Sequence, residues 1–483
     1  MAIFLSVGHH LVTVRDCPRE ELRQLYQLLS YEEKSSYYQR MVKGIPPVYK
    51  RLFDPKTCTF PKGLLERVQT YLERQGYTVQ TKFSVPHPGL RPFTIPDWAY
   101  EFQKRAVLHL LQHPHSTLQS PTGSGKTVIG SLLLGHIQGR CLMVVPSQDL
   151  LFQTAKKLAA ILDEPVGLIG AGRKEWQRIN VGIINSLVKV KDSPEVHELE
   201  AVIYDEAHRA IQFSRYGAFA EALTRCYFQW GLTAGAHRED GADLALEAII
   251  GPTKMVISER EVEALGLTIK PQIYFITQPD PNCVYGGKFK IVGGERIYET
   301  TNGKPELREV YRGAVVLNEA RNQAVVRVVE TYLQHHTLPV LVLVESLEHG
   351  ELLSQRLHCP FISGESRKEE RLQNLEALRN GTIRVTVATR AYNEGVDIPR
   401  LGLVVNAAGG CSRQQMRQKV GRGVRQSQGK SGAVVIDFLD QERYYLRRQA
   451  KRRYAVSEEI YPGSCHILTL EEVCVRLGGG EYE

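Results

Sequence analysis

The sequence lacks the cysteine spacings of a disulfide scaffold or a zinc site. Its nine cysteines are odd in number and include no CxxC pair, so we expect free thiols in a reducing compartment. It also lacks any run approaching about 18 uninterrupted apolar residues, and its start, MAIFLSVGHHLVTV, has neither a basic leader nor a small-residue cleavage site. These absences predict a soluble, intracellular protein.

The sequence also lacks a strong excess of one charge. It has 61 Lys and Arg against 53 Asp and Glu, a formal net charge of +8, which suits a polyanionic partner without requiring one. With 483 residues it is long enough for two to four domains, so a single small binding module is excluded.

Changes in residue pattern divide the chain into five segments. Residues 1–84 mix helical patterns such as EELRQLYQLLSYEEK and GLLERVQTYLERQG with a turn-rich middle, which predicts a small α+β module, and the proline-rich stretch 85–97 predicts a linker. Residues 98–280 and 313–483 each alternate apolar runs with helical patterns, which predicts two α/β domains, the second ending in a basic helix. Residues 281–312 contain a glycine-bracketed alternation that predicts a β-hairpin near 283–299.

The apolar runs of the two larger segments are short and rich in β-branched residues. RCLMVVP and LEAVIYDE occur in the first, and PVLVLVES, TIRVTVAT, LGLVVNAA and GAVVIDFL in the second. Helical stretches such as EERLQNLEALRNG separate them. Continuous apolar strands alternating with helices are typical of parallel sheets covered by helices on both faces.

The octapeptide SPTGSGKT, from Ser120 to Thr127, has the context of a phosphate-binding loop. It follows the extended stretch HSTLQS and precedes the helical stretch VIGSLLLGHI. Its glycines let backbone NH groups face the β and γ phosphates of ATP, while Lys126 adds a positive charge and the Thr127 hydroxyl can bind Mg²⁺. Ser120 stands where the usual pattern has Gly or Ala. The predicted phosphate-binding residues are Pro121, Thr122, Gly123, Ser124, Gly125, Lys126 and Thr127.

A second motif, AVIYDEAH, places two carboxylates at the end of an apolar strand. Asp205 is positioned to hold Mg²⁺ together with Thr127, and Glu206 to polarise the attacking water. A carboxylate pair after a strand is common by itself, but beside a phosphate-binding loop it predicts ATP hydrolysis.

In order along residues 98–440, these motifs resemble those of superfamily 2 helicases with a DEAH box, within the XPB-like and UvsW-like branch of phage or prokaryotic type. The resemblance implies two tandem RecA-like parallel-sheet P-loop domains, with ATP and Mg²⁺ as cofactors. It also implies a cytoplasmic location, which is the host cytoplasm if a phage encodes the protein.

The resemblance implies further roles in the first α/β domain. Gln103 corresponds to a glutamine that reads adenine, and His208, Thr233 and Ala234 correspond to residues that couple hydrolysis to domain motion. The family commonly has Thr-Ala-Thr where this chain has Thr233, Ala234 and Gly235. Contacts to nucleic acid are implied for Pro146, Ser147, Gln148, Asn185, Ser186 and the XPB-like element Arg238, Glu239 and Asp240.

In the second α/β domain, ATRAYNEGVDIP and QKVGRGVR carry the resemblance. The first implies that Thr389 contacts the nucleic-acid strand and that Gly395 and Asp397 approach ATP. The second implies catalytic roles for Gln418, Arg422 and Arg425, the two arginines acting as arginine fingers. A guanidinium against the γ-phosphate stabilises charge in the transition state, a contribution of about 10³ to 10⁵ in rate.

The expected function is an ATP-dependent DNA helicase or translocase that unwinds or migrates forked or branched DNA, with single-stranded DNA as a further partner. An RNA helicase is the first alternative, because motor motifs grip the backbone. The second is a motor subunit of a remodelling or nuclease assembly with repair or recombination partners. No membrane partner is expected.

Three features have two readings each. The 1–84 module has 13 Lys and Arg against 8 Asp and Glu, and it either recognises branched DNA or serves folding and protein docking. The hairpin is either a strand-separating wedge or a connector. The basic stretch QERYYLRRQAKRRY, residues 441–454, is either a phosphate-tracking helix with stacking tyrosines or a solvated helix face.

Overall fold

The computed structural model describes residues 2–32, 46, 48–235, 242–278, 289–292, 295–298, 311–389, 401–409, 432–441 and 444–479. The chain divides into two compact units, Met1–Ser258 and Glu259–Glu483. None of the helices within these ranges is both long and apolar enough to cross a membrane.

The first unit begins with a small α+β module. Its strands are β1 (Ala2–Val7), β2 (Leu11–Arg15), β3 (Ser30–Glu32), β4 (Tyr49–Arg51), β5 (Thr59–Pro61) and β6 (Thr78–Phe83), and its helices are Arg19–Leu28, Lys62–Leu64 (a 3₁₀ turn) and Leu65–Arg74. Four strands form a sheet in the order β5-β2-β1-β6, and β3 pairs with β4. Alternating residues of β1 and β2 are buried against the helices, as period-two packing requires.

One predicted helix of the module is shorter than its sequence pattern. EELRQLYQLLSYEEK predicted a helix up to residue 34, but the helix ends at Leu28. Ser30–Glu32 instead forms an antiparallel pair with Tyr49–Arg51. The strand partner lies 17 residues or more further along the chain, so the local periodicity did not reveal it.

The module shares a core with the α/β domain that follows it. Leu244, on the helix Asp243–Ile250, packs among the buried side chains of the module. Gly63 approaches this helix so closely that a Cβ atom would lie 2.0 Å from the carbonyl oxygen of Glu247. Arg67 donates two hydrogen bonds to the Glu247 carboxylate, at 2.9 and 2.5 Å. The module is therefore an integral part of the first unit.

The α/β domain of the first unit is built on an eight-stranded sheet. Its strands are β7 (His115–Gln119), β8 (Arg140–Val145), β9 (Val166–Gly170), β10 (Arg173–Glu175), β11 (Ile179–Ile183), β12 (Leu199–Asp205), β13 (Phe228–Thr233) and β14 (Thr253–Val256). Their order is β10-β9-β11-β8-β12-β13-β7-β14, and the pairs are parallel except β10 with β9. The central strands are buried on both faces.

Helices connect these strands. They span Glu101–Gln112, Lys126–Gly135, Gln148–Leu162, Ile184–Leu187, Pro194–His197, Arg215–Ala220 and Asp243–Ile250, with 3₁₀ turns at Val188–Val190 and Ala207–Arg209. The alternation of parallel strands and helices confirms the predicted α/β class.

The second unit carries a seven-stranded parallel sheet. Its strands are β15 (Gln272–Gln278), β18 (Val340–Leu343), β19 (Phe361–Ile362), β20 (Val385–Ala388), β21 (Leu403–Asn406), β22 (Val434–Asp440) and β23 (Cys465–Leu468), with the separate hairpin strands β16 (Phe289–Val292) and β17 (Glu295–Tyr298). The sheet order is β19-β20-β18-β21-β22-β15-β23. Helices span Glu259–Ala264, Glu319–His335, Leu347–Leu357, Lys368–Asn380, Tyr444–Ile460 and Leu470–Gly478, and Arg312–Val316 forms a π-helical turn.

The predicted end of the first α/β domain at residue 280 is too late. β15 pairs in parallel with β22 along seven residues and with β23 on its other side, so it lies inside the second sheet. The first unit ends at Ser258. An apolar strand carries no local mark of which sheet it joins, because only its partners, which come about 160 and 190 residues later, decide. The hairpin predicted near 283–299 is present as the antiparallel pair of β16 and β17.

Two arginines of the second unit are buried in ion pairs. Arg453 Nε donates to both carboxylate oxygens of Asp437, at 3.0 and 3.1 Å. Arg321 donates from Nη1 to Asp440 Oδ1 at 2.7 Å and from Nε to the carbonyl oxygen of Ala407 at 3.2 Å. The two arginine side chains are each only 1% exposed. These contacts fix β22 and the residues directly after β21.

The burial of Arg453 excludes both interpretations of the basic stretch 441–454 for this one residue. Because its side chain lies inside the domain, Arg453 neither contacts nucleic-acid phosphates nor forms part of a solvated helix face. Its neighbour Arg452 is exposed. Tyr454 packs edge-on against Phe275, with ring centroids 5.2 Å apart.

We predict that Arg453→Ala strongly destabilises the second unit. The substitution leaves the Asp437 carboxylate buried without the guanidinium of Arg453. Breaking a buried ion pair in this way typically lowers the free energy of unfolding by about 3 to 5 kcal/mol. Denaturant unfolding of the full chain measures the loss. The matched control Arg452→Ala should shift the free energy of unfolding by less than about 0.5 kcal/mol.

A double variant, Asp437→Leu with Arg453→Met, separates charge from packing. It removes the pair together, so its loss should be smaller than that of Arg453→Ala. Equal stability of Arg453→Ala and Arg452→Ala would contradict the assigned role.

Candidate ATP and nucleic-acid site

The phosphate-binding loop connects β7 to the helix Lys126–Gly135. Gly123 and Gly125 adopt φ values of 91° and 80°, the left-handed region that glycine tolerates best. Ser120 NH donates to the carbonyl oxygen of Thr233 at 2.8 Å, which ties the start of the loop to the neighbouring strand β13. The loop thus turns at the carboxyl edge of the sheet, directly before a helix N-terminus that favours anions.

Side chains of the loop hold it in shape. Ser120 Oγ donates to Ser124 Oγ at 2.5 Å, and Ser124 Oγ donates to the carbonyl oxygen of Pro121 at 2.7 Å. Lys126 Nζ donates to the carbonyl oxygens of Ser120 and Pro121, at 3.2 and 3.0 Å. Ser120, the departure from the usual pattern, therefore takes part in the loop's internal hydrogen bonds. The ammonium group of Lys126 lies across the concave side of the loop, where a phosphate would replace the carbonyl oxygens as its partner.

Gln103 connects the loop to the preceding helix. Its Nε2 donates to the carbonyl oxygen of Ser124 at 2.9 Å, and its Oε1 accepts from Tyr100 NH at 3.1 Å at the start of the helix Glu101–Gln112. A Cβ atom on Gly125 would lie 2.5 Å from Gln103 Nε2. Gln103 therefore contacts the phosphate-binding loop directly, beyond the adenine contact that the resemblance implied.

The two carboxylates lie at the end of β12, where Asp205 is the last residue of the strand and Glu206 follows it. β12 and β7 flank β13 in parallel, so their carboxyl ends emerge at one edge and bring Asp205 within electrostatic reach of Lys126. Burial and the neighbouring Glu206 carboxylate raise the pKa of Asp205 to about 7, and the Lys126 ammonium offsets part of the rise. Glu206 has a φ of 50°, an uncommon conformation for a residue with a side chain, found here at a predicted catalytic position.

His208 joins the carboxylates to β13. Its Nδ1 lies 3.2 Å from Thr233 Oγ1 and 3.4 Å from Glu206 Oε2. Thr233 Oγ1 also accepts from Gly235 NH at 3.2 Å. His208 thus lies between Glu206 and Thr233, at the place that the resemblance implied for coupling.

The residues of this edge suit Mg²⁺ bound with a nucleotide. One carboxylate and one hydroxyl, Asp205 and Thr127, are oxygen donors that Mg²⁺ prefers, and the phosphates would supply further oxygens. Glu206 Oε2 is buried and accepts no hydrogen bond within the part of the chain that the structure describes. The same ranges contain no group of three His, Cys, Asp or Glu side chains that would hold a metal ion alone. The donor set therefore suits an ion shared with ATP.

The predicted nucleic-acid contacts of the first domain follow two more parallel strands. Pro146, Ser147 and Gln148 follow β8, and Ser147 caps the helix Gln148–Leu162 by accepting from Leu150 NH at 3.4 Å. Asn185 and Ser186 follow β11 in the short helix Ile184–Leu187. Because β8 and β11 run parallel to β12, these residues lie along the same edge as the carboxylates.

Thr389 follows β20 in the second unit. Its side chain is buried, and its NH donates to the carbonyl oxygen of Ile362 at 3.0 Å.

In the first unit, Ala234 directly follows β13 and is buried. The remaining predicted site residues lie outside the described ranges: Arg238, Glu239, Asp240, Gly395, Asp397, Gln418, Arg422 and Arg425.

The structure places a further charged side chain, which the sequence did not indicate, against a predicted nucleic-acid contact residue. Arg215 Nη1 donates to Asn185 Oδ1, and both side chains are exposed. Arg215 lies in no motif, and the stretch QFSRYG reads as an ordinary loop and helix start. The contact exists only because the segment after β12 folds back beside the segment after β11.

Two family models match the chain. "Type III restriction enzyme, res subunit" matches residues 98–238, and "Helicase conserved C-terminal domain" matches residues 320–427. The first contains the phosphate-binding loop and both carboxylates, and the second contains the predicted arginine fingers.

Curated relatives and a solved structure agree with these models. The chain is similar to "Putative DNA 3'-5' helicase Rad25" of Halobacterium salinarum, 26% identical over 70% of this chain and 52% of that protein. It is similar to "DNA 3'-5' translocase XPB2" of Sulfurisphaera tokodaii, 23% identical over 73% of this chain and 84% of that protein. The fold is similar to that of S. cerevisiae Dbp5, with a TM-score of 0.55 at 16% identity over 78% of this chain and 93% of that one.

A phosphate-binding loop, two carboxylates on a parallel-sheet edge and a second parallel-sheet domain are the features of a two-domain P-loop fold. The two matched models and the relatives support a superfamily 2 helicase of the XPB-like type. The predicted family is thus supported, and the sheet topology confirms the predicted α/β fold with two parallel-sheet domains. The chain spans about half the length of the Halobacterium relative.

We predict that affinity for Mg²⁺-nucleotide falls below about pH 7. The pKa of Asp205 is raised to about 7, so at lower pH this carboxyl carries a proton that must leave before the carboxylate can bind the ion. The loss should approach tenfold per pH unit well below that pKa and vanish about one unit above it.

Equilibrium binding of a fluorescent nucleotide between pH 5.5 and 8.5 measures this effect. Asp205→Asn is the control, since any pH dependence it retains belongs to the nucleotide or to other groups. A wild-type profile identical in shape to that of Asp205→Asn would contradict the prediction.

Proposed function

We propose that this protein is an ATP-dependent DNA helicase or translocase that moves on forked or branched DNA. The carrying observation is the arrangement of Lys126, Asp205 and Glu206 at one sheet edge, together with predicted nucleic-acid contacts along that same edge. Relatives named DNA 3'-5' helicase or translocase support DNA as the substrate.

In this proposal each residue of the candidate ATP site has a chemical role. Backbone NH groups of the loop and the Lys126 ammonium bind the β and γ phosphates. Asp205 and Thr127 would hold Mg²⁺, and the bound ion would supply positive charge against the phosphates. Glu206 accepts a hydrogen bond from the attacking water and polarises it.

The coupling step uses contacts already present around Glu206. Loss of the γ-phosphate changes the partner of Glu206, and His208 passes this change to Thr233 and the residues after β13. In the proposed mechanism Arg422 and Arg425, which lie outside the described ranges, act as arginine fingers that stabilise the charge on the γ-phosphate during its cleavage.

Movement should be largely independent of base sequence. The residues proposed to hold the strand, among them Ser147, Asn185 and Ser186, carry small polar side chains suited to phosphate and sugar oxygens. Such binding depends on counterion release, so affinity should fall steeply as salt rises.

We predict that DNA stimulates ATP hydrolysis and that Lys126→Ala abolishes it. Steady-state ATPase and strand displacement are measured on single-stranded, duplex, forked and four-way DNA and on the RNA equivalents. Forked or four-way DNA should stimulate most, and Lys126→Ala should lower turnover at least about 100-fold because the phosphate loses its charged partner.

The same panel decides between the alternatives. Stronger stimulation of ATP hydrolysis by RNA than by DNA would identify RNA as the substrate. A co-purifying partner that is needed for activity would indicate that the chain is a subunit of a larger assembly. Wild-type turnover by Lys126→Ala would remove the assigned ATP site.

We predict that Arg425→Ala binds ATP but hydrolyses it slowly. An arginine finger acts on the charge of the transition state, so nucleotide affinity should change little while turnover falls about 10³-fold or more. Arg425→Lys should recover little, because an ammonium lacks the planar fork of a guanidinium. Comparison of nucleotide affinity with single-turnover hydrolysis tests this; undiminished turnover excludes the finger role.

A further inference from the structure

A large aromatic side chain is exposed close to the predicted nucleic-acid edge. Phe213 lies between the 3₁₀ turn Ala207–Arg209 and the helix Arg215–Ala220, and 55% of its side chain is exposed. A single exposed aromatic residue is ordinary on a protein surface. The segment around Phe213 is unusual because it contacts two separate parts of the first unit, which bring cations and a polar side chain close to it.

The first part is the N-terminal module. Lys50, on β4, lies over the ring of Phe213, with its Nζ 5.5 Å from the ring centroid. Its neighbours on β4 are Tyr49, which is 48% exposed, and Arg51, whose guanidinium lies 4.7 Å from the Tyr26 ring centroid. Successive side chains of a strand point to opposite faces, so Lys50 is the β4 residue that meets Phe213, while Arg51 contacts Tyr26 within the module.

The second part is the predicted nucleic-acid edge itself. Arg215 follows Phe213 by two residues and donates to Asn185 Oδ1. Asn185 is among the residues that the helicase resemblance assigns to the strand. The segment 213–215 therefore links the module to this edge through two observed contacts, one between Phe213 and Lys50 and the other between Arg215 and Asn185.

We propose that Lys50, Asn185, Phe213 and Arg215 form a binding surface, the Phe213 surface, for an unpaired DNA strand where it leaves a duplex. Phe213 stacks on an unpaired base, and Lys50 and Arg215 bind the adjoining phosphates. The proposal rests on the proposed function, and it gives the N-terminal module a role in recognising junctions.

The chemistry favours an unpaired strand over other occupants. A phenyl ring gains most by stacking on a base face, and only an unstacked base offers one. The Lys50 ammonium over the ring and the Arg215 guanidinium two residues further along the chain suit phosphates, which a single strand carries at every nucleotide. In a duplex the base faces are covered by neighbouring base pairs. A duplex could therefore bind the cations through its phosphates, but it could not stack on Phe213.

The fold keeps the two halves of this surface in register. The module and the α/β domain share a core at Leu244, and Arg67 pairs with Glu247. Glu66 pairs with Lys254 on the same side of the module. The module cannot be deleted as a test, because removal of residues 1–84 would expose this shared core. Single substitutions at exposed positions are therefore the appropriate variants.

The test measures binding of the full-length protein to forked DNA that carries 2-aminopurine at the first unpaired position. Phe213→Ala should weaken fork binding by about 5- to 100-fold and abolish the quenching that stacking causes. Phe213→Trp should retain both. Lys50→Ala should lower the slope of log affinity against log salt by about 0.7 to 1, the contribution of one phosphate contact.

The control is Phe83→Ala, another exposed phenylalanine of the first unit, 49% exposed, which should bind forks like the wild type. The basal ATPase rate without DNA should be the same in these four variants, since none of the substituted residues lies at the phosphate-binding loop. Blunt duplex affinity should be unaffected by Phe213→Ala.

Two results would overturn the proposal: wild-type fork affinity in Phe213→Ala, or an equal loss on fork and blunt duplex. These outcomes are distinguishable from failure of the proposed function. If the wild-type ATPase responds to no nucleic acid, the function is wrong; if it responds to DNA and Phe213→Ala behaves as wild type, only the Phe213 surface is wrong.

Discussion

Parallel pairing of β7, β13 and β12 is the constraint on which the candidate ATP site depends. Strands that run in one direction end at one edge, so the loop after β7 and the carboxylates after β12 meet there although 78 residues separate Lys126 from Asp205 in a chain of 483. β13 between them supplies Thr233, which bonds to the loop through its carbonyl oxygen and faces His208 through its hydroxyl. The same rule places Ser147 and Asn185 along the edge, after β8 and β11.

Burial sets the electrostatics of this edge. Asp205 loses hydration and lies beside Glu206, so its carboxyl holds a proton far more tightly than a free aspartate does, even with Lys126 nearby. Such a pair is costly in the nucleotide-free protein, and a divalent cation with its phosphates relieves the cost. In the second unit, buried charge serves structure instead: Arg453 and Asp437 satisfy each other and fix β22.

The N-terminal module is packed directly on the α/β domain of the first unit. Its helix Leu65–Arg74 and Gly63 pack on the helix Asp243–Ile250, so the module and the α/β domain share one core within that unit. A rigid attachment lets a binding surface span both parts, as Lys50 and Phe213 do. A docking module on a flexible tether would not hold those two side chains in contact.

The sequence by itself determined the α/β class, the phosphate-binding loop, the carboxylate pair and the helicase family, because each is a local pattern whose chemistry depends on spacing within a few residues. It did not determine that β15 joins the second sheet, that the helix beginning at Arg19 stops at Leu28, or that Arg453 is buried. Nor did it reveal Phe213 and Arg215 beside Lys50 and Asn185. Those facts depend on partners distant in the chain, and only tertiary packing brings such partners together.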